Sequence, residues 1–135
     1  MKTIVYTNNK GGVTIVAPSP DVSIEYVKAK DTPKHSIIID TDDITVNDYW
    51  FDAWELAEST VIVNFTKAQE ITRTRLRNER TPLLAAQDIL FQRALETAAD
   101  TTAIVAEKNR LRNITNLVDN ASSLDELRNL TCNIV

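Results

Sequence analysis

The sequence predicts an α+β protein, with a small N-terminal β-rich unit (about 1–65) followed by a helical unit (about 66–135). Three observations predict it. Short β-rich runs fill the front, whereas apolar residues recur at helical spacing from Thr66 onwards. The front is acidic: residues 1–65 carry five Lys and ten Asp or Glu, and residues 66–135 carry ten Lys or Arg and nine Asp or Glu. Both glycines, Gly11 and Gly12, lie in the front, and the back holds only one proline, Pro82.

The elements follow in order. Thr3–Thr7 and Val13–Ala17 alternate apolar with polar residues around Asn8-Asn9-Lys10-Gly11-Gly12. Glycine supplies the positive φ of a tight turn, so this reads as a β-hairpin. Pro18-Ser19-Pro20 then stops the second strand, because proline cannot donate to a ladder. Residues 22–30 fit a strand through Val22, Ile24 and Tyr26. They fit a short helix better, with Asp21 as N-cap and an end near Asp31-Thr32-Pro33. Ile37-Ile38-Ile39 and Val61-Ile62-Val63 are short apolar runs that read as buried strands.

Thr66 can cap a helix starting at Lys67, with Glu70 in its first turn. Pro82 either opens a second helix behind a Thr81 cap or kinks a long one. Leu83, Ala86, Leu90 and Ala94 make one helical row, and Leu84, Phe91, Leu95 and Ala98 the next, giving a helical hairpin with a broad apolar stripe. Asp100-Thr101-Thr102 marks a stop and restart. Ile104, Lys108, Leu111 and Ile114 continue the period. Ser123-Leu124-Asp125-Glu126 is a capping box opening a short final helix through Leu130.

Composition bounds the function. The chain has 135 residues, 43% apolar and 25% charged, with net charge −4, so it suits a folded protein without a global field for nucleic acid. Cys132 is the one cysteine, which excludes an intramolecular disulfide. Lys2 and a strand-like run follow Met1, which predicts no signal peptide, and no run reaches a membrane span.

Catalytic chemistry finds no foothold. His35 is the only histidine, and with one cysteine it cannot build a His/Cys zinc site. Cys132 has no base beside it in sequence to form thiolate. Asp40, Asp42, Asp43, Asp48 and Asp52 lack an EF-hand pattern: Thr45 and Phe51 stand where glycine and glutamate are required. Phosphate loops and nucleophile elbows are missing. The sequence therefore predicts no enzyme, no cofactor and no metal.

Two features remain. Tyr49, Trp50, Phe51 and Trp54 place four of the eight aromatic residues within six positions. They can plug the core or anchor a partner. Arg73, Arg77 and Arg80, at i, i+4 and i+7, share a helix face near Arg75. That face suits solvation and ion pairing, or contact with an acidic surface of this chain or a partner. Glu70 and Glu79 dilute it as a nucleic-acid stripe.

Several segments resemble a family of small proteins encoded by tailed bacteriophages and prophages near tail-fibre genes. They are Ile4-Val5-Tyr6-Thr7-Asn8, Gly11-Gly12-Val13, Ala17-Pro18-Ser19-Pro20, Lys30-Asp31-Thr32-Pro33 and Phe51-Asp52-Ala53-Trp54-Glu55. Lys67-Ala68-Gln69-Glu70-Ile71, residues 77–88, Leu111-Arg112-Asn113-Ile114-Thr115 and residues 124–127 extend the likeness. The helical half is also similar to phage tail-fibre assembly chaperones. The chain departs from the pattern at Trp50, where a basic residue is usual, and at Asn113, where Asp is usual. The resemblance carries no catalytic residues. It implies a non-enzymatic virion component that binds tail, tail-fibre or capsid proteins, made in the host cytoplasm; the broad apolar stripe of the helical half separately allows homo-oligomerisation. A tail-fibre assembly chaperone and a small regulator or inhibitor of a host protein are the alternatives. The candidate partner-binding residues are Tyr49, Trp50, Phe51, Trp54, Arg73, Arg77 and Arg80.

Overall fold

Antiparallel strands followed by helices make this an α+β protein. A computed structural model describes residues 1–133. The chain divides into two compact units, Met1–Lys67 and Ala68–Val135.

The first unit is built on a three-stranded sheet. β1 (Lys2–Thr7) lies between β2 (Val13–Val16) and β3 (Ile37–Asp40), and both pairings are antiparallel. Thr3, Ile4 and Val5 are all buried on β1. Successive strand residues face opposite sides, so both faces of this central strand are covered. The buried Thr3 hydroxyl is satisfied by donating to the Val16 carbonyl at 2.8 Å.

The β1–β2 turn follows from Asn8 and Gly11. The Gly11 φ is +80°, where a side chain is strained. The Asn8 side-chain oxygen accepts from the backbone N–H groups of Lys10 and Gly12, each at 3.0 Å. α1 (Ile24–Asp31) then crosses to the far side of β1. Its cap is Ser23, whose hydroxyl accepts from the Tyr26 N–H, rather than Asp21.

A second antiparallel hairpin, β4 (Trp54–Ala57) and β5 (Thr60–Val63), completes the unit. The sequence reading had only β5, as a buried strand. Val61 is buried, but Ile62 is 42% exposed. With one face open, the strand alternates instead of being apolar throughout. The β4–β5 turn places Glu58, not glycine, at φ 56°, so its usual composition signal is missing.

α2 (Phe65–Glu96) begins two residues before the predicted start. Asn64 caps it in place of Thr66, its side-chain oxygen accepting from the Lys67 N–H at 3.0 Å. The helix runs on through Pro82. Thr81 does not cap a new helix; its hydroxyl donates back to the Arg77 carbonyl at 2.9 Å. Proline removes only the bond to the carbonyl four residues earlier, on exposed Asn78, where water can replace it.

In the second unit, α2 ends in a Schellman motif. Ala98 has φ 54°, Ala98 N–H donates to Leu95 and Ala99 N–H donates to Ala94. Alanine occupies the position that glycine usually takes. Asp100 then accepts from both the amide and the hydroxyl of Thr102, opening α3 (Thr102–Arg112). These bonds hold the Asp100 carboxyl below the usual carboxylate range.

A 3-10 segment, Ile114–Asn120, leads to α4 (Leu124–Asn129). The capping box there is displaced by one residue. Ser123 accepts from the Glu126 amide, but Glu126 reaches back to the Ser122 amide at 2.6 Å. Leu76, Leu111, Ile114, Val118, Leu127 and Cys132 are buried in this unit, with the smaller Ala68, Thr72 and Ala94.

Candidate functional site

The aromatic segment lies in a 3-10 stretch, Asp48–Ala53, that runs directly into β4. Asn47 caps the stretch, its side-chain oxygen accepting from the Tyr49 N–H at 2.9 Å. Tight 3-10 winding divides the rings. Trp50 and Trp54 are 2% and 3% exposed, whereas Tyr49 and Phe51 are 41% and 45% exposed. Trp54 also donates its indole N–H to the Asn47 carbonyl at 3.1 Å. Both tryptophans are therefore core and cannot touch a partner directly. Each backs one exposed ring: Tyr49 stands edge-on to Trp50 with centroids 4.8 Å apart, and Phe51 tilts on Trp54 at 4.9 Å. Tyr49 and Phe51 are thus outward rings on a fixed base.

The arginine face is largely internal to the second unit. Arg73 pairs with Glu70 and, at 2.5 Å, with Asp119 of the 3-10 segment. Hydrogen bonding to Asp119 raises the Arg73 pKa above its ordinary value, although burial opposes it. Arg75 pairs with Glu79 and donates to the Leu127 carbonyl at 3.1 Å. Arg80 donates to the carbonyls of Leu111 and Arg112, at 3.4 and 2.8 Å. Those carbonyls end α3, where a cation meets the negative end of the helix dipole. Of the row, Arg77 alone is classed as exposed. The acidic surface these arginines meet lies within their own unit.

Part of the predicted apolar stripe, Leu83, Leu90 and Leu95, stays exposed in the structure. Lys108 of α3 pairs with Asp88 at 2.7 Å and lies 4.9 Å over the Phe91 ring, which ties the two long helices together. Leu83, Ile89, Leu90, Leu95 and Val105 nevertheless remain exposed, with Ile89 at 52% and Leu95 at 59%. Isolated apolar residues at a surface are ordinary, and Ile89 and Leu95 lie about 120° round α2 from Leu83; only Leu83 and Leu90, at i and i+7, share one face of the helix as a candidate interaction surface.

The other chemical candidates are placed as follows. His35 is exposed, within 3.2 Å of the Thr7 carbonyl. Cys132 is buried, its thiol donating to the Leu76 carbonyl at 3.4 Å, and burial pushes its pKa up. A raised pKa disfavours the nucleophilic thiolate. Asp40 caps a 3-10 turn through the Asp42 N–H. Among the described residues no group of three or more His, Cys, Asp or Glu could hold a metal ion. No helix among them is long and apolar enough to cross a membrane.

Neither a family model nor a curated protein nor a solved structure matches the chain.

Proposed function

We propose that this protein is a non-enzymatic bacteriophage virion component that binds tail, tail-fibre or capsid proteins. The observation that carries the binding part is the pair of exposed apolar side chains Leu83 and Leu90, which share one face of α2. Such side chains gain roughly 25 cal/mol for each Å² of apolar surface removed from water, so a partner that covers them is stabilised. Tyr49 and Phe51 offer a second, aromatic contact with little side-chain entropy to lose. The phage setting rests on the resemblance of the segments from Ile4 to Leu127.

The arginines take a different part in this reading. Arg73, Arg75 and Arg80 shape the second unit, and only Arg77 is left to contact a partner. Mass spectrometry of purified virions tests the proposal. The protein is expected at a fixed copy number relative to the tail or capsid proteins. Its absence from particles, together with fibre folding that fails without it, would replace this reading with the assembly-chaperone one.

A further inference from the structure

We propose that the cleft beside the β1–β2 turn binds the carboxylate of an acidic peptide. This goes beyond the phage reading and does not depend on it. The cleft has a volume of about 310 Å³ and is lined by Asn8, Lys10, Gly12, Val13, Phe51, Asp52 and Lys67. That volume lies at the small end of ligand sites and suits one or two side chains.

Lys67 is the central group. It sits in the first turn of α2, fixed through its backbone N–H to Asn64. Its half-buried side chain reaches back to the hairpin, where Nζ donates to the Gly11 carbonyl at 3.1 Å. An ammonium carries three donors, and a carbonyl satisfies one of them. Lys67 and Lys10 form no ion pair among the described residues, with Asp52 or with any other carboxylate. A partly buried ammonium without a counter-ion is a site at which an anion is favoured.

The remaining walls narrow the ligand class. Phe51, held against Trp54, and Val13 give the cleft an apolar side. Asp52, also in the lining, repels a dianion about twice as strongly as a monoanion and can accept from a peptide N–H. The cleft contains no arginine fork of the kind that recognises phosphate in two-pronged fashion. A singly charged carboxylate next to an amide donor and an apolar side chain meets each of these groups.

Gly12 lines this cleft, and Gly11, the one other glycine in the chain, accepts from Lys67 Nζ through its carbonyl. Their amide signals in a ¹⁵N-correlated NMR spectrum of the full chain therefore report on it. The probes are acetyl-Leu-Glu-Leu-amide, acetyl-Leu-Gln-Leu with a free C-terminus, the neutral acetyl-Leu-Gln-Leu-amide and inorganic phosphate. At least one of the two acids is expected to give saturating shifts at Gly11 and Gly12. The acid that does so identifies whether a side-chain or a terminal carboxylate is bound. Lys67→Gln is expected to weaken the interaction at least fivefold with the rest of the spectrum unchanged. Where Lys67→Gln loses its dispersed spectrum, Lys10→Gln on the exposed turn is expected to weaken it about twofold. Saturating shifts from phosphate or the neutral peptide, no shift from either acid, or undiminished binding in the folded lysine variant would overturn the proposal.

Discussion

The two units of this chain use their polar groups in different ways. In Met1–Lys67, ladders and short side-chain caps do most of the work: Asn8 in its turn, Ser23 on α1, Asp40 and Asn47 on the 3-10 turns, and Asn64 on α2. In Ala68–Val135, arginines reach between segments far apart in sequence, with Arg73 on Asp119, Arg75 on Leu127 and Arg80 on Arg112. Arg110 adds Glu107 and the Cys132 carbonyl. A sheet satisfies its backbone through neighbouring strands, whereas a helix leaves its last carbonyls to be satisfied by side chains. The arginines that resemble a binding stripe are the second unit's answer to that need. The two units also differ in their apolar groups. The first buries Trp50 and Trp54, and the second leaves Leu90 and Leu95 in solvent.

The largest test of this contrast is a pair of apolar truncations. Trp50→Ala is expected to cost about 3–5 kcal/mol of unfolding free energy, the usual range for a buried tryptophan. Leu90→Ala, 45% exposed, is expected to change stability by about 0.5 kcal/mol or less. Urea unfolding followed by circular dichroism measures both. A Trp50→Ala protein of near wild-type stability would put that ring outside the core.

A second pair separates structural arginines from free ones. Arg80→Ala should cost about 1.5 kcal/mol, because it leaves the final carbonyls of α3 without a charged donor. Arg77→Ala should cost about 0.5 kcal/mol or less. Equal effects in the same denaturation assay would contradict the division drawn between them.

The third pair concerns positive φ. Gly11→Ala is expected to destabilise by about 1 kcal/mol, and Ala98→Gly to stabilise by about 0.5–1 kcal/mol, since both positions are left-handed. Opposite shifts in thermal midpoint check the two signs. The same positions show what could be read from the sequence. The first turn was legible because glycine occupied it. The β4–β5 turn and the end of α2 were not, because Glu58 and Ala98 adopt the left-handed conformation without a composition signal. The α+β class and the strands around β1 followed from periodicity. The division of the aromatic segment did not, because alternation through a 3-10 stretch depends on winding that neither helix nor strand periodicity describes. The arginine row had the right spacing for a shared face. Its partners, Asp119 and the ends of α3 and α4, lie 31 to 52 positions away, where local patterns carry no information.

The smallest expected effect is on pH. Arg110 holds the Glu107 carboxyl below its usual range, and Thr102 does the same for Asp100. A lowered folded-state pKa contributes stability above the ordinary carboxylate range, and that stability is lost as pH falls through the folded values. The second unit should therefore weaken slightly as pH falls below the ordinary carboxylate range. Glu107→Gln should flatten that slope, measured as the shift in urea midpoint. An unchanged slope would mean that this pair adds nothing.

The most direct test of the binding account uses the exposed surface of α2. Under the virion proposal, phage carrying Leu83→Asp and Leu90→Asp should yield a folded protein, because both side chains are already 36% and 45% exposed. Quantitative mass spectrometry of the purified virions should then find it at least tenfold depleted relative to wild type. Incorporation of the folded double variant at wild-type level would contradict the claim that this surface binds the particle.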